Sequence, residues 1–160
     1  MKLNHFLAAG LFMLILSCAH EEPVFGEKEK ATVTAEVTRT LGDYYAAIKE
    51  KGLTAEFMFL DSSADFYWTP PGFNSAVSFD SIARILRRNA ALFKSVVNRW
   101  DTLSITPLSP GLASYTGRLR SMATDTLGTT TETWLVETGL MVKRKTGWKL
   151  HSGQTGLAGR

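Results

Sequence analysis

Few residues in this chain are of the types that carry chemistry, and their spacing restricts what they can do. The three histidines, His5, His20 and His151, are far apart and adjoin no second ligand at metal-binding spacing, so no metal and no cofactor site is expected. Gly153 and Gly156 lack the strand–turn–helix setting of a phosphate-binding loop. No Ser stands in a nucleophile elbow. Among the acids, Asp61 and Asp65 flank the start of an aromatic run, where a carboxylate can act as acid or base, although Asp commonly serves turn backbone there. The single cysteine, Cys18, has no disulfide partner and falls at the end of an apolar stretch.

That stretch reads as a processing signal. Lys2 supplies a short positive start, and residues 6–16 are apolar or small over a length too short to span a bilayer. Ile15-Leu16-Ser17-Cys18 then has the pattern of a bacterial lipobox, with Cys18 as the lipidation site. The expected organisation is a lipoprotein signal peptide over 1–17, a charged flexible tether over 18–30, one domain over 31–156 and a tail over 157–160. Lipid anchoring to the bacterial cell envelope, on the periplasmic side or the cell surface, follows from that reading.

The elements that must position any site are legible from periodicity. The 160 residues are 44% hydrophobic and 21% charged, which suits one folded domain. A formal charge of +3 is too small to indicate a nucleic-acid partner. Arg84, Arg87, Arg88, Lys94 and Arg99 read as the solvated side of a helix. Val37, Leu41, Tyr44, Tyr45 and Ile48 recur at helical steps over 32–51, and Gly52 is placed to end that helix. A short helix is expected over 53–60, then a strand over 64–69 closed by Pro70-Pro71-Gly72. Ile82, Ile85, Leu86, Ala90, Phe93, Val96, Val97 and Trp100 make one stripe, so a long helix is expected over 80–100 with Asp80 as N-cap. Asn89 lies in that stripe and is read as a buried amide satisfied by backbone. Four strands follow over 102–108, 112–124, 130–145 and 148–155, forming an antiparallel meander.

This order, with the segments ADFYWTPPG, VETGLMVKRKTGWKL and the Ser152–Gln154 tail, resembles the SnoaL-like, ketosteroid-isomerase-like branch of the nuclear-transport-factor-2-like (NTF2-like) superfamily. The resemblance implies an α+β fold: a cone-shaped, curved, mostly antiparallel sheet wrapped around a long helix and two N-terminal helices. It also implies a mostly apolar pocket for a small molecule. Tyr45 matches the family's helix Tyr. The isomerase pattern is otherwise incomplete, because Thr69-Pro70-Pro71 stands where a carboxylate base belongs. Thr138 and Gly139 stand where an acid donor belongs, and the more apolar even positions of 130–145 turn the nearby Glu137 outward. On the last strand Leu150, Ser152 and Gln154 are expected inward and His151 outward.

The ligand-lining candidates are therefore Tyr45, Trp68, Tyr115, Trp134, Ser152 and Gln154, with Asp61 and Asp65 as the candidate acids of a cyclase-type reaction. The leading expectation is a membrane-anchored protein that binds a small apolar or amphipathic molecule. The alternatives are a cyclase- or isomerase-type enzyme, marked by an ionisable group inside the pocket with a strongly shifted pKa, and an interaction module forming a homodimer. The homodimer would use the outer sheet face, at odd positions such as Leu135 and Met141.

Overall fold

A computed structural model describes residues 25–159. The signal peptide, Cys18 and most of the tether lie outside the described residues. Helix α1, Glu27–Lys51, starts inside the expected tether, so residues 27–30 are helical. Glu27 and Glu29 favour that start, since acidic groups suit the positive end of a helix and the Glu29 carboxylate accepts the Gly26 N–H at 3.0 Å. Gly52 ends α1 with φ at 82°, a conformation that favours glycine, and its N–H donates to Ile48 O at 2.8 Å.

A 3-10 helix, Leu53–Met58, follows, and then two short strands, β1 (Tyr67–Thr69) and β2 (Val77–Ser78). Helix α2 is Phe79–Ala90, with Ser78 rather than Asp80 as its N-cap; Asp80 sits in the first turn. The expected long helix over 80–100 is thus a 12-residue helix that passes through a turn into β3, Phe93–Ser109. The apolar stripe misleads because residues 93–100 also fit a strand. Val96, Asn98 and Trp100 alternate inward at two-residue steps, and Val96 and Val97 are β-branched. The long helix of this fold is α1.

The meander continues through β4 (Leu112–Asp125), β5 (Thr130–Arg144) and β6 (Gly147–Leu157). The sheet is curved, open and mixed, with order β2-β1-β6-β5-β4-β3 and one parallel pair, β1 with β6. Register shifts in β3 near Ser95, Asp101 and Leu108 mark bulges, which bend a strand and raise its twist. The inner face closes on α1: Val37, Leu41 and Ile48 meet Tyr115 and Leu119 of β4, Met141 of β5 and Leu150 of β6, all nearly inaccessible. Each such aliphatic side chain contributes about 1.5–3 kcal/mol by leaving water.

Two orientations differ from those expected. On β5 the odd positions face inward: Met141 is fully buried and Glu137 is 5% exposed, whereas Val136 is 43% exposed. Leu135 and Met141 therefore belong to the core, and Trp134 stands on the outer face with the Arg118 guanidinium 4.3 Å above its ring. Hydrophobicity ranks Trp134, Val136, Leu140 and Val142 above Glu137, Gly139 and Met141. The inner row is decided instead by the partners it must accommodate. A Cβ on Gly139 would come within 2.8 Å of the Tyr115 ring and 3.0 Å of Trp68, so the rings require a glycine beneath them. On β6 the register skips a residue, Met141 pairing with Leu150 and Leu140 with Ser152, which leaves His151 as a bulge. Beyond it the alternation inverts: Ser152 and Gln154 go to the outer face and Thr155 comes inward.

Candidate functional site

Between the helices and the inner sheet face lies a cavity of about 320 Å³. Its walls are largely apolar: Leu53 and Leu60 after α1, Ile82, Ile85 and Leu86 of α2, and Leu119 and Leu135 of the sheet. Phe66, Trp68, Pro70 and Pro71 form a further side. The polar groups in the lining are few and fall into two sets.

The first set surrounds two carboxylates. Glu137 accepts three hydroxyls, from Tyr115 at 2.8 Å, Thr155 at 3.1 Å and Tyr45 at 3.3 Å. Thr155 Oγ1 in turn accepts the Trp68 indole N–H at 3.1 Å. Burial pushes the Glu137 carboxyl up, and the three hydroxyls oppose it. The Tyr45 and Tyr115 phenols are held well above their ordinary range by burial first and by the Glu137 charge second. Glu137 is thus already committed to neighbours within the protein.

Glu56 is different. It projects from the 3-10 helix and has one partner among the described residues, the Tyr44 hydroxyl, which donates to it at 2.8 Å. Burial among apolar walls raises its pKa to about 7, the Tyr44 bond opposes the rise, and the Glu137 charge adds to it. The carboxylates are linked through adjacent residues of α1, whose Tyr44 and Tyr45 rings lie 4.8 Å apart. A carboxyl with a pKa near neutrality can both give and take a proton at working pH, whereas one at 4.5 is a weak base and a rare acid.

The second set is Asn89 of α2, Asn98 of β3 and Ser121 of β4, with Asn98 and Ser121 paired across the sheet. Asn98 Oδ1 is buried and meets no hydrogen-bond donor among the described residues. Asn89, expected to be satisfied by backbone, borders the cavity.

The structure distributes the remaining sequence candidates as follows. Tyr45 and Trp68 line the cavity, and Tyr115 lies beneath it, joined through Glu137. Trp134, Ser152 and Gln154 stand on the opposite face of the sheet. Asp65 is exposed outside the cavity. Asp61 is buried but serves another purpose. Its carboxylate accepts Arg144 Nη2 at 2.6 Å, Ser63 Oγ at 2.8 Å and Arg144 Nε at 3.2 Å, with His151 Nδ1 at 2.8 Å. The Arg144 guanidinium, above all, holds this carboxyl well below the usual carboxylate range. Among the described residues no group of three His, Cys, Asp or Glu side chains is close enough to hold a metal.

The residues that periodicity missed are Glu56, Tyr44, Asn98 and Thr155. Glu56 in LTAEFMFL looks like a solvated acid on a short helix. Only the sheet opposite makes it a cavity group. Glu137 carried one signal, being the sole acid between Trp134 and Gly139 of an otherwise uncharged strand interior.

The fold is that of the NTF2-like superfamily. A superfamily protein from Salmonella enterica matches with a TM-score of 0.70 at 18% identity, over 81% of this chain and 94% of that one. A structure from Streptomyces avermitilis assigned to the NTF2-like family matches with a TM-score of 0.70 at 15% identity, over 81% and 99%. Hexachlorocyclohexane dehydrochlorinase LinA-type3 from Novosphingobium barchaimii matches with a TM-score of 0.64 at 12% identity, over 84% and 92%. These identities establish a common fold and nothing finer. No family profile matches the chain, and no curated protein matches it in sequence.

Proposed function

We propose that this chain holds a small, mostly apolar molecule in the cavity and moves a proton on it through Glu56. The observation that carries the reading is a near-neutral carboxyl with one hydrogen-bond partner, set in an apolar cavity of about 320 Å³. Burial first, and the neighbouring Glu137 second, would keep the Glu56 proton from leaving too easily. The phenols of Tyr44 and Tyr45 would hold the two acids in place. A dehydrochlorinase among the structural neighbours is consistent with proton removal from an apolar substrate, as an analogy of fold only.

The test is ¹³C carboxyl NMR on the full chain across pH. A Glu signal titrating near pH 7 that vanishes in Glu56→Gln is expected. Glu56 titrating near 4.5 would remove the acid–base role and leave simple binding. Native mass spectrometry of the chain from its own host then identifies any retained molecule.

Anchoring at the bacterial envelope through a lipidated Cys18 is part of the same proposal, supported by the lipobox pattern. Metabolic labelling with palmitate is expected to mark the wild type and not Cys18→Ser.

A further inference from the structure

We infer that the molecule held in this cavity carries an amine, bound as its ammonium ion against Glu56 Oε1. The inference rests on the reading that the cavity holds a small molecule, and it names the charge and the polar group of that molecule.

The cavity lining contains two acids, Glu56 and Glu137, and among the described residues no Lys, Arg or His. Every ion pair among the described residues involves other acids, Glu27, Glu36, Asp61 and Glu132. A carboxylate withdrawn from water without a cation is costly. Glu137 lessens that cost by accepting three hydroxyls that occupy both its oxygens, Tyr115 on Oε1 and Tyr45 and Thr155 on Oε2. On Glu56 the Tyr44 hydroxyl occupies Oε2 alone. Glu56 Oε1 accepts no hydrogen bond among the described residues and is not one of the buried atoms left without a partner. It therefore keeps accessible surface on a residue that lines the cavity, where a ligand's donor can reach it.

The cations around the 3-10 helix are engaged elsewhere. Arg87 of α2 has its guanidinium 5.2 Å over the Phe57 ring, and Lys149 of β6 donates to Met58 O. Neither lines the cavity. The other titratable groups around Glu56 are the Tyr44 and Tyr45 phenols of α1 and the Glu137 carboxyl of β5, and none of them adds positive charge. An ammonium supplies what the lining lacks: N–H donors for Oε1 and a charge opposite to both acids. It is also attracted to the faces of aromatic rings, and Phe66 and Trp68 line the same space. An anionic ligand would meet two like charges, and a neutral one would leave Glu56 without a counter-ion. A neutral amine reaches the same state when the Glu56 proton passes from Oε1 to the nitrogen lone pair, which leaves an ammonium beside a carboxylate. That transfer gives the Glu56 proton a defined acceptor.

The test uses three probes that share a naphthalene body and differ in the group on it: 2-(aminomethyl)naphthalene, 2-naphthalenemethanol and 2-naphthoic acid. Binding is measured on the full chain in a nonionic detergent, with each probe's uptake by empty micelles subtracted. At pH 8 the wild type is expected to prefer the amine over the alcohol by at least about tenfold and to bind the acid least. Between pH 6 and pH 8 the affinity for the amine is expected to rise about tenfold and that for the alcohol not to rise. The ionised fraction of a carboxyl titrating at about 7 grows over that range from about a tenth to about nine tenths. Glu56→Gln, its folding checked by near-ultraviolet circular dichroism, is expected to lose both the preference and its pH dependence. Should that variant not fold, the pH dependence of the wild type decides alone. Equal binding of amine and alcohol, an amine affinity that is flat from pH 6 to pH 8, or a preference undiminished in Glu56→Gln overturns the inference and leaves the small-molecule reading standing. Binding of none of the three probes overturns that reading and the inference with it.

Discussion

Glu56 and Glu137 show how two carboxylates a short distance apart divide their work. Glu137 receives three hydroxyls, so its environment is fixed by the protein. Glu56 receives one and is left to exchange its proton. The sign of its effect on stability follows from linkage. The folded pKa of about 7 lies above the ordinary 4.5, so the folded chain binds more protons than the unfolded chain between those values. Stability is therefore full below pH 4.5 and falls as pH rises towards 7, by up to about 3 kcal/mol. Glu56→Gln, neutral at every pH, is expected to match the wild type near pH 4 and to exceed it near pH 8. Urea unfolding at the two pH values measures this.

The elements are held in place by contacts that have nothing to do with the cavity. Asp61 fastens the segment after the 3-10 helix to the end of β5 through Arg144 and to the β6 bulge through His151. Backbone bonds run alongside, Asp61 N–H to Leu150 O and Leu150 N–H to Phe59 O, each at 2.8 Å. The His151 bulge has a consequence for the site as well. It inverts the alternation of β6 and so delivers Thr155 to Glu137. The folded pKa of Asp61 is depressed, so its contribution is fully present above the ordinary carboxylate pKa and is lost as pH falls from there through the depressed folded value. Asp61→Asn is expected to cost about 1–3 kcal/mol at pH 7 and less near pH 2, within the window where the contribution is being lost. Chemical denaturation at both pH values is the measurement, and the near-neutral titration of Glu56 should persist in the folded variant.

On the scale of the whole molecule, the homodimer expected from the sequence would use the outer sheet face. Its exposed apolar groups include Tyr67 on β1, Met122 on β4 and Val136 on β5, set among hydroxyls such as the Thr116–Thr138 pair. If two copies pair there, Val136→Arg is expected to convert a dimer to a monomer in sedimentation analysis without altering the Glu56 titration. A dimer that persists in Val136→Arg would place the interface elsewhere.

The fold was largely legible in the sequence. Helical spacing located α1, Gly52 its end, and turn residues such as Gly128 and Gly147 the hairpins, because those signals are local. Two kinds of information were not local. Residues 93–100 satisfy helical and strand patterns alike, and pairing with β4 decides between them. The faces of β5 and β6 depend on a ring needing a glycine floor and on one bulge, and a one-residue difference exchanges every inward and outward side chain. By itself the sequence determined most of the element types, residues 93–100 apart, the α+β architecture and the inward placing of Tyr45 and Trp68. Only the tertiary structure placed Glu137 inside, brought Glu56 to within reach of its field and left Asn98 without a donor. The burial and charge that set those properties come from residues distant along the chain.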